Sequence, residues 1–160
     1  PDRLNLQAVY AAPFVNEHRN ADTPAKGMDQ SFDEILRVYE RLGRNGTAST
    51  FRGSEAWITD TEETVPSAAC DDLIERTMGR SPEDEPLYVV AIGACTNISS
   101  AILKQPEIAD RIVVVWLGGH PWYWPSAQEF NLSGDIAASQ ELINSGVPLV
   151  HMPCINVAQK

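Results

Sequence analysis

The sequence predicts an α/β fold: a mostly parallel, Rossmann-like sheet flanked by helices. Three observations predict it. Leu87 to Ile92 and Ile112 to Leu117 are apolar, largely β-branched runs of the kind found in strands covered on both faces. Segments with helix caps stand between the strand-like runs, and a strand–helix–strand order calls for right-handed crossovers and parallel pairing. The 160 residues, 43% hydrophobic and 21% charged, suit one globular domain with a real core.

Taken in order, Leu4 to Tyr10 reads as a strand entering the loop Ala11 to Asn16. Glu17 to Gly27 is polar and carries Pro24 and Gly27, which suggests a flexible segment or a lid. Ser31 and Glu34 form a capping box for a helix to about Leu42, with Ile35, Leu36, Tyr39 and Leu42 inward and Gly43 closing it. Gly46 to Pro66 is irregular, with room for short strands or a hairpin. Ser67 caps a second helix to about Met78, with Cys70, Leu73 and Ile74 inward. After the strand at Leu87, Gly93 to Asn97 is a tight turn into a helix over Ile98 to Lys104. Pro106 to Asp110 is a short turn or helix before the strand at Ile112. Asp135 caps a helix to about Asn144, Gly146 ends it, and Val147 to Met152 is the last strand. The chain reads as a single domain over 1–160. Strand-like segments stand close to both Pro1 and Lys160, so it reads as the core of a longer domain.

Net charge is -10 with a pI near 4.6, which argues against a nucleic-acid partner needing clustered Lys and Arg. No apolar run is long enough for a membrane span, and no signal peptide is visible. Cys70, Cys95 and Cys154 are odd in number and form no CxxC pair, so a reducing, cytoplasmic setting with free thiols is expected. A homo-oligomer is expected as well.

In parallel sheets ligands bind beyond the carboxyl ends of the strands. That rim gathers Pro13, Phe14 and Asn16, then Ile92 and Gly93, then Leu117 to Asn131, then Cys154 and Asn156. Glu129 and Asn131 stand at i and i+2, which in an extended segment points both to one side. A carboxylate beside an amide suits a ligand with several hydroxyls, such as a sugar. The plainer alternative is a solvated Glu129 and an Asn131 that ties down a turn. Gly93 to Asn97 resembles a phosphate loop only loosely, and a strand-to-helix turn capped by Thr96 or Asn97 is favoured. His120 offers acid–base chemistry or a loop hydrogen bond. Cys95 has no identifiable base and reads as a small core residue. Trp116, Trp122, Tyr123 and Trp124 suit either stacking on a planar ring or packing on a neighbour or another subunit.

Several segments resemble the inosine–uridine-preferring nucleoside hydrolases. Ala91 to Ile98 looks like that family's Gly-Pro-Leu-Thr-Asn turn, with Ala94-Cys95 in place of Pro-Leu. Pro106 to Ile112 is similar to the linker before its next strand, and Leu117-Gly118-Gly119 to its Met-Gly-Gly. Glu129-Phe130-Asn131 followed by Asp135 resembles its Glu-Phe-Asn…Asp segment, and Asn144 to Pro148 the turn beyond. The resemblance is good from Leu87 to Met152 and loose before that.

The resemblance implies hydrolysis of the N-glycosidic bond of a nucleoside to ribose and base, with a calcium cofactor (Ca2+). It implies that the Ile92 backbone carbonyl is a calcium ligand and that Leu117 sits against the ribose. It implies that Glu129 and Asn131 bind ribose hydroxyls and favour an oxocarbenium-like transition state, and it maps an early asparagine onto Asn16. These roles suit the chemistry of a hard cation and of a developing positive charge. The family's Asp-x-Asp-x-x-x-Asp-Asp motif, expected before Pro1, and its late Asp ligand, expected beyond Lys160, supply the metal carboxylates and the base. No catalytic residue is therefore expected within this chain. The competing expectations are a non-catalytic sugar- or nucleoside-binding domain of the same fold, and an unrelated phosphate-binding Rossmann-like fold.

Overall fold

The computed structural model describes residues 4–46, 49–60 and 63–155. Parallel strands form two sheets. One pairs β1 (Val9–Tyr10) with β2 (Thr50–Phe51), and the other has the order β3 (Leu87–Ala91), β4 (Ile112–Leu117), β5 (Leu149–Met152). The helices are α1 (Pro24–Arg41), α2 (Ala68–Met78), α3 (Thr96–Lys104), α4 (Phe130–Gly134) and α5 (Ile136–Asn144), with 3-10 turns at Glu17–Arg19 and Pro106–Asp110.

The core lies on one face of the larger sheet. Val89, Ile112, Val114 and Trp116 pack there against Leu73 of α2, Ile98 and Ile102 of α3, and Ala138 and Leu142 of α5. The register aligns Val89 with Val114 and Ala91 with Trp116, so these side chains share that face. Each fully buried Leu, Ile or Val there contributes about 1.5–3 kcal/mol relative to exposure. The opposite face is barer: Tyr88, Val90 and Ile92 are 63%, 70% and 77% exposed.

Four expectations are corrected. The first strand is two residues, not the seven from Leu4 to Tyr10: only Val9 and Tyr10 find a partner, and Leu4 and Leu6 are exposed. The first helix starts at Pro24, not near Ser31. Thr23 accepts from the Lys26 N–H, and Pro24 occupies the N-terminal turn, where a missing N–H costs nothing. Gly27 sits inside this helix because a Cβ there would meet the Phe14 carbonyl oxygen at 1.9 Å. The expected lid is thus partly helical, and Ser31, rather than capping, donates its hydroxyl to the Ala12 carbonyl at 2.8 Å. Ile35, Leu36 and Tyr39 are half-buried as expected, but Leu42 lies beyond the helix and is exposed. The third helix begins at Thr96, two residues before the expected start, and Thr96 and Asn97 turn their side chains to other loops instead of capping it. Fourth, Glu129 and Asn131 do not lie in an extended segment; they open the short helix α4.

Other expectations hold. Ser67 caps α2 through the Cys70 N–H, Asp135 caps α5 through the Ala138 N–H, and Gly43 takes φ +65 at the end of α1. Among the described residues, the irregular Gly46 to Pro66 region holds the short strand β2, which pairs in parallel with β1 rather than forming a hairpin.

Candidate functional site

The carboxyl ends of the strands meet at a rim, as a parallel sheet requires, and Glu129 is its organising side chain. Its Oε2 accepts three backbone N–H groups: Gly119 at 2.7 Å, Asn131 at 3.0 Å and Leu132 at 3.0 Å. The first bond holds the glycine turn after β4. The other two cap α4, where the helix N-terminus favours a carboxylate. Gly119 has φ +68, a left-handed conformation that glycine adopts at little cost. Glu129 is 8% exposed, so the plainer alternative of a solvated carboxylate does not hold.

Asn131 is equally buried. Its amide donates to the Leu117 carbonyl at 2.8 Å and to the Ile92 carbonyl at 3.4 Å, bridging the ends of β3 and β4. It does tie down backbone, as its plainer reading has it, and it also borders a groove. That groove, of about 1480 Å³, is bordered by Asn16, Ile92, Glu129 and Asn131 together. Leu117 is absent from its lining and reaches the cluster through its backbone carbonyl alone. Asn16 pairs its backbone with Ala21 and lends no side-chain cap to the 3-10 turn that follows. Asn156 lies outside the described residues.

The remaining rim residues have structural employment. Asn97 accepts from the Ser54 N–H and hydroxyl at 2.8 and 3.0 Å and donates to the Ala11 carbonyl at 2.8 Å. It clips β1, the segment after β2, and α3 together. Asp135 is 2% exposed and accepts from the Ile58 N–H, the Thr96 hydroxyl and the Ala138 N–H. Gly93 to Cys95 thus form a strand-to-helix turn, as the favoured reading has it, but Thr96 and Asn97 are spent on Asp135 and Ala11 and do not supply the cap which that reading expected. Cys95 is a buried thiol pushed up to about 12 by burial, so it is no nucleophile near neutral pH. His120 makes a loop hydrogen bond, from Nε2 to the Gln128 carbonyl at 3.1 Å, while its Nδ1 is buried without a partner among the described residues.

His151 is the residue that sequence reasoning missed. Its Nε2 lies 2.6 Å from the Gly118 carbonyl, and its ring contacts Trp116 and Trp122 at centroid distances of 6.5 and 6.2 Å. The parallel register that sets His151 opposite Trp116 is the signal that would have found it. Trp122 and Tyr123 are largely exposed on the same loop.

A family model described as inosine-uridine preferring nucleoside hydrolase matches residues 6–160. The chain belongs to that family. Within it, the pyrimidine-specific ribonucleoside hydrolase RihA of Citrobacter koseri is 34% identical over 92 residues, which are 56% of this chain and 28% of that one. RihA of Enterobacter sp. is 33% identical over 94 residues, 56% of this chain and 29% of that one. The crystal structure of the inosine-uridine preferring nucleoside hydrolase from Bacillus anthracis shares the fold, with a TM-score of 0.52 at 17% identity over 94% of this chain and 46% of that one. The chain thus spans about half the length of the solved family member, and the match covers under a third of each curated one.

Calcium needs about six to eight oxygen ligands, carboxylates prominent among them. Among the described residues no three His, Cys, Asp or Glu side chains cluster so as to hold a metal. The Ile92 carbonyl faces the Asn131 amide, and one Glu129 oxygen takes three N–H donors. Among the described residues these two groups fall well short of the ion's roughly six to eight oxygens, so this donor set does not fit it alone. Among the described residues no helix is long and apolar enough to cross a membrane.

Proposed function

We propose that the complete protein hydrolyses the N-glycosidic bond of a nucleoside, releasing ribose and free base, and that residues 1–160 supply its sugar-binding side. The observation that carries this reading is the clamped pair of Glu129 and Asn131 at the rim of a groove, in a chain of this family. Three N–H donors fix one carboxylate oxygen; Oε1 takes no hydrogen bond among the described residues. Oε1 is the atom for a sugar hydroxyl, and the carboxylate charge favours the cationic sugar that forms as the base departs. The donors need no rearrangement as that charge develops. Asn131, with its amide nitrogen spent on backbone, offers its carbonyl oxygen to a second hydroxyl.

In this reading calcium is held by carboxylates from outside residues 1–160, and the single domain of this stretch is the core of a larger one. The alternative reading is a domain of the same fold that binds a nucleoside or sugar without cleaving it. A reducing, cytoplasmic setting and a homo-oligomer remain part of the first reading.

The test is Glu129→Gln in the complete protein. A Gln carbonyl can take over the three N–H groups while its amide nitrogen replaces Oε1, so the fold persists and the charge is lost. Turnover should drop by about 10²-fold or more, the range for removing one preorganised transition-state contact. Unchanged turnover with a native circular dichroism spectrum would reject the role.

A further inference from the structure

His151 and Glu129 grip the two ends of one peptide unit. That unit joins Gly118 to Gly119 in the turn after β4. Its N–H donates to Glu129 Oε2 at 2.7 Å, and its carbonyl oxygen lies 2.6 Å from His151 Nε2. A carbonyl oxygen only accepts, so Nε2 carries the proton and donates it. The result is a chain of two short hydrogen bonds, from imidazole to peptide to carboxylate. In such a chain each bond polarises the next, which makes the Gly119 N–H a better donor to Glu129.

The peptide units on either side are held by backbone. The Gly118 N–H donates to the Met152 carbonyl at 3.3 Å, and the Gly119 carbonyl accepts from the Cys154 N–H at 3.0 Å. The unit between them can turn over by changing only ψ of Gly118 and φ of Gly119, torsions that glycine leaves soft on both sides. Turned over, it would present its carbonyl oxygen to the Glu129 carboxylate, acceptor against acceptor. Two side chains oppose that rotation, Glu129 at one end and His151 at the other. The imidazole is itself set by packing. Its ring contacts the buried Trp116 and the exposed Trp122, and the β4–β5 register puts it opposite Trp116. His151 is absent from the described residues that border the groove, so its influence on the groove runs through the peptide.

We propose, resting on the reading of Glu129 as the carboxylate that meets the sugar, that His151 is the positioning residue for it. By holding the Gly118–Gly119 peptide with its N–H toward Oε2, the imidazole keeps Oε1 aimed at the groove. His151 touches no substrate; it acts through the turn.

The test compares three variants of the complete protein. His151→Phe keeps a ring against the tryptophans and loses the donor. His151→Leu loses the donor in a smaller side chain. His151→Gln puts an amide N–H near the place of Nε2 and keeps the donor. The Gly119 amide is followed by nuclear magnetic resonance, and turnover is followed with uridine and inosine. With Phe and with Leu the Gly119 amide proton should move upfield and exchange about two- to tenfold faster, the worth of one hydrogen bond. The Asn131 and Leu132 amides, which reach the same oxygen from α4, should keep their exchange rates. The kcat should fall by about two- to tenfold. KM should change less, because the carboxylate charge acts on the cation that forms and not on the neutral substrate. His151→Gln should restore both the amide and kcat. A Gly119 amide unmoved in Phe and Leu overturns the proposal. So does a Gln variant as impaired as Phe, which makes ring packing responsible. Unfolding of both donor-less variants gives His151 a purely structural role and overturns it too. So does a moved amide with undiminished kcat. Glu129→Gln in the same assay shows how far that last failure reaches: if it lowers turnover, Glu129 acts without His151, and if it does not, the reading of Glu129 falls as well.

Discussion

Replacing Glu129 tests the site through stability alone, with no substrate needed. Glu129→Ala removes the acceptor for three N–H groups, of which that of Gly119 belongs to a buried residue. Losing the cap of α4 costs about 1 kcal/mol. Leaving a buried N–H unsatisfied adds about 1–3 kcal/mol. The expected total is about 2–4 kcal/mol. Glu129→Gln keeps an acceptor oxygen and forfeits only the charge assistance of its bonds, about 1 kcal/mol. Urea unfolding of the 160-residue chain reads both. With a slope of about 2 kcal/mol per molar, the midpoint falls by about 1–2 M for Ala and about 0.5 M for Gln. An Ala variant as stable as the Gln variant would refute the claim that this carboxylate holds the rim together.

The cysteines and the metal give two further expectations. Burial raises Cys95 to about 12, and burial first, then Asp71, raises Cys70 to about 11, both from an ordinary 9.0. Near pH 8 only the half-buried Cys154 should react quickly with a thiol reagent, and all three should react after unfolding, as the free thiols that they are in the structure. Because the folded values are raised, these thiols contribute full stability below pH 9, and that contribution is lost as pH climbs toward 11 and 12. Alkaline unfolding monitored by fluorescence checks the sign, and stability that rises through that window would contradict it. Isothermal titration of the 160-residue chain with calcium should detect no tight site; a one-to-one tight site would mean that its ligands lie inside this stretch.

The three-stranded half of the fold was legible because its physics is local. β-Branched runs at Leu87 and Ile112, the Ser67 and Asp135 caps and the glycine at position 146 each act within a few residues of themselves. The first quarter was harder to read because its structure depends on distant partners. Gly27 in mid-helix makes sense only once the Phe14 backbone is seen against it, and within the strand-like run Leu4 to Tyr10 only Val9 and Tyr10 meet β2. At the rim, the sequence singled out Glu129, Asn131 and Ile92, which the structure brings together beside one groove, and missed how they are joined. A carboxylate and an amide two residues apart suggested an extended segment. Two of the N–H donors on Glu129 are the local cap of α4, but the third, from Gly119, reaches it only because the glycine turn after β4 folds back onto α4, a contact that no spacing encodes. His151 stayed hidden for the same reason, since only the β4–β5 register sets it against the tryptophans.

The central claim is that the complete protein splits nucleosides, and product analysis tests it most directly. Purified full-length protein incubated with uridine and with inosine, with calcium present, should release free base and ribose in equal amounts from at least one of them, and Glu129→Gln should abolish most of that release. Saturable binding of a nucleoside to the folded protein, with no ribose formed, would contradict the account and leave a binding domain in its place.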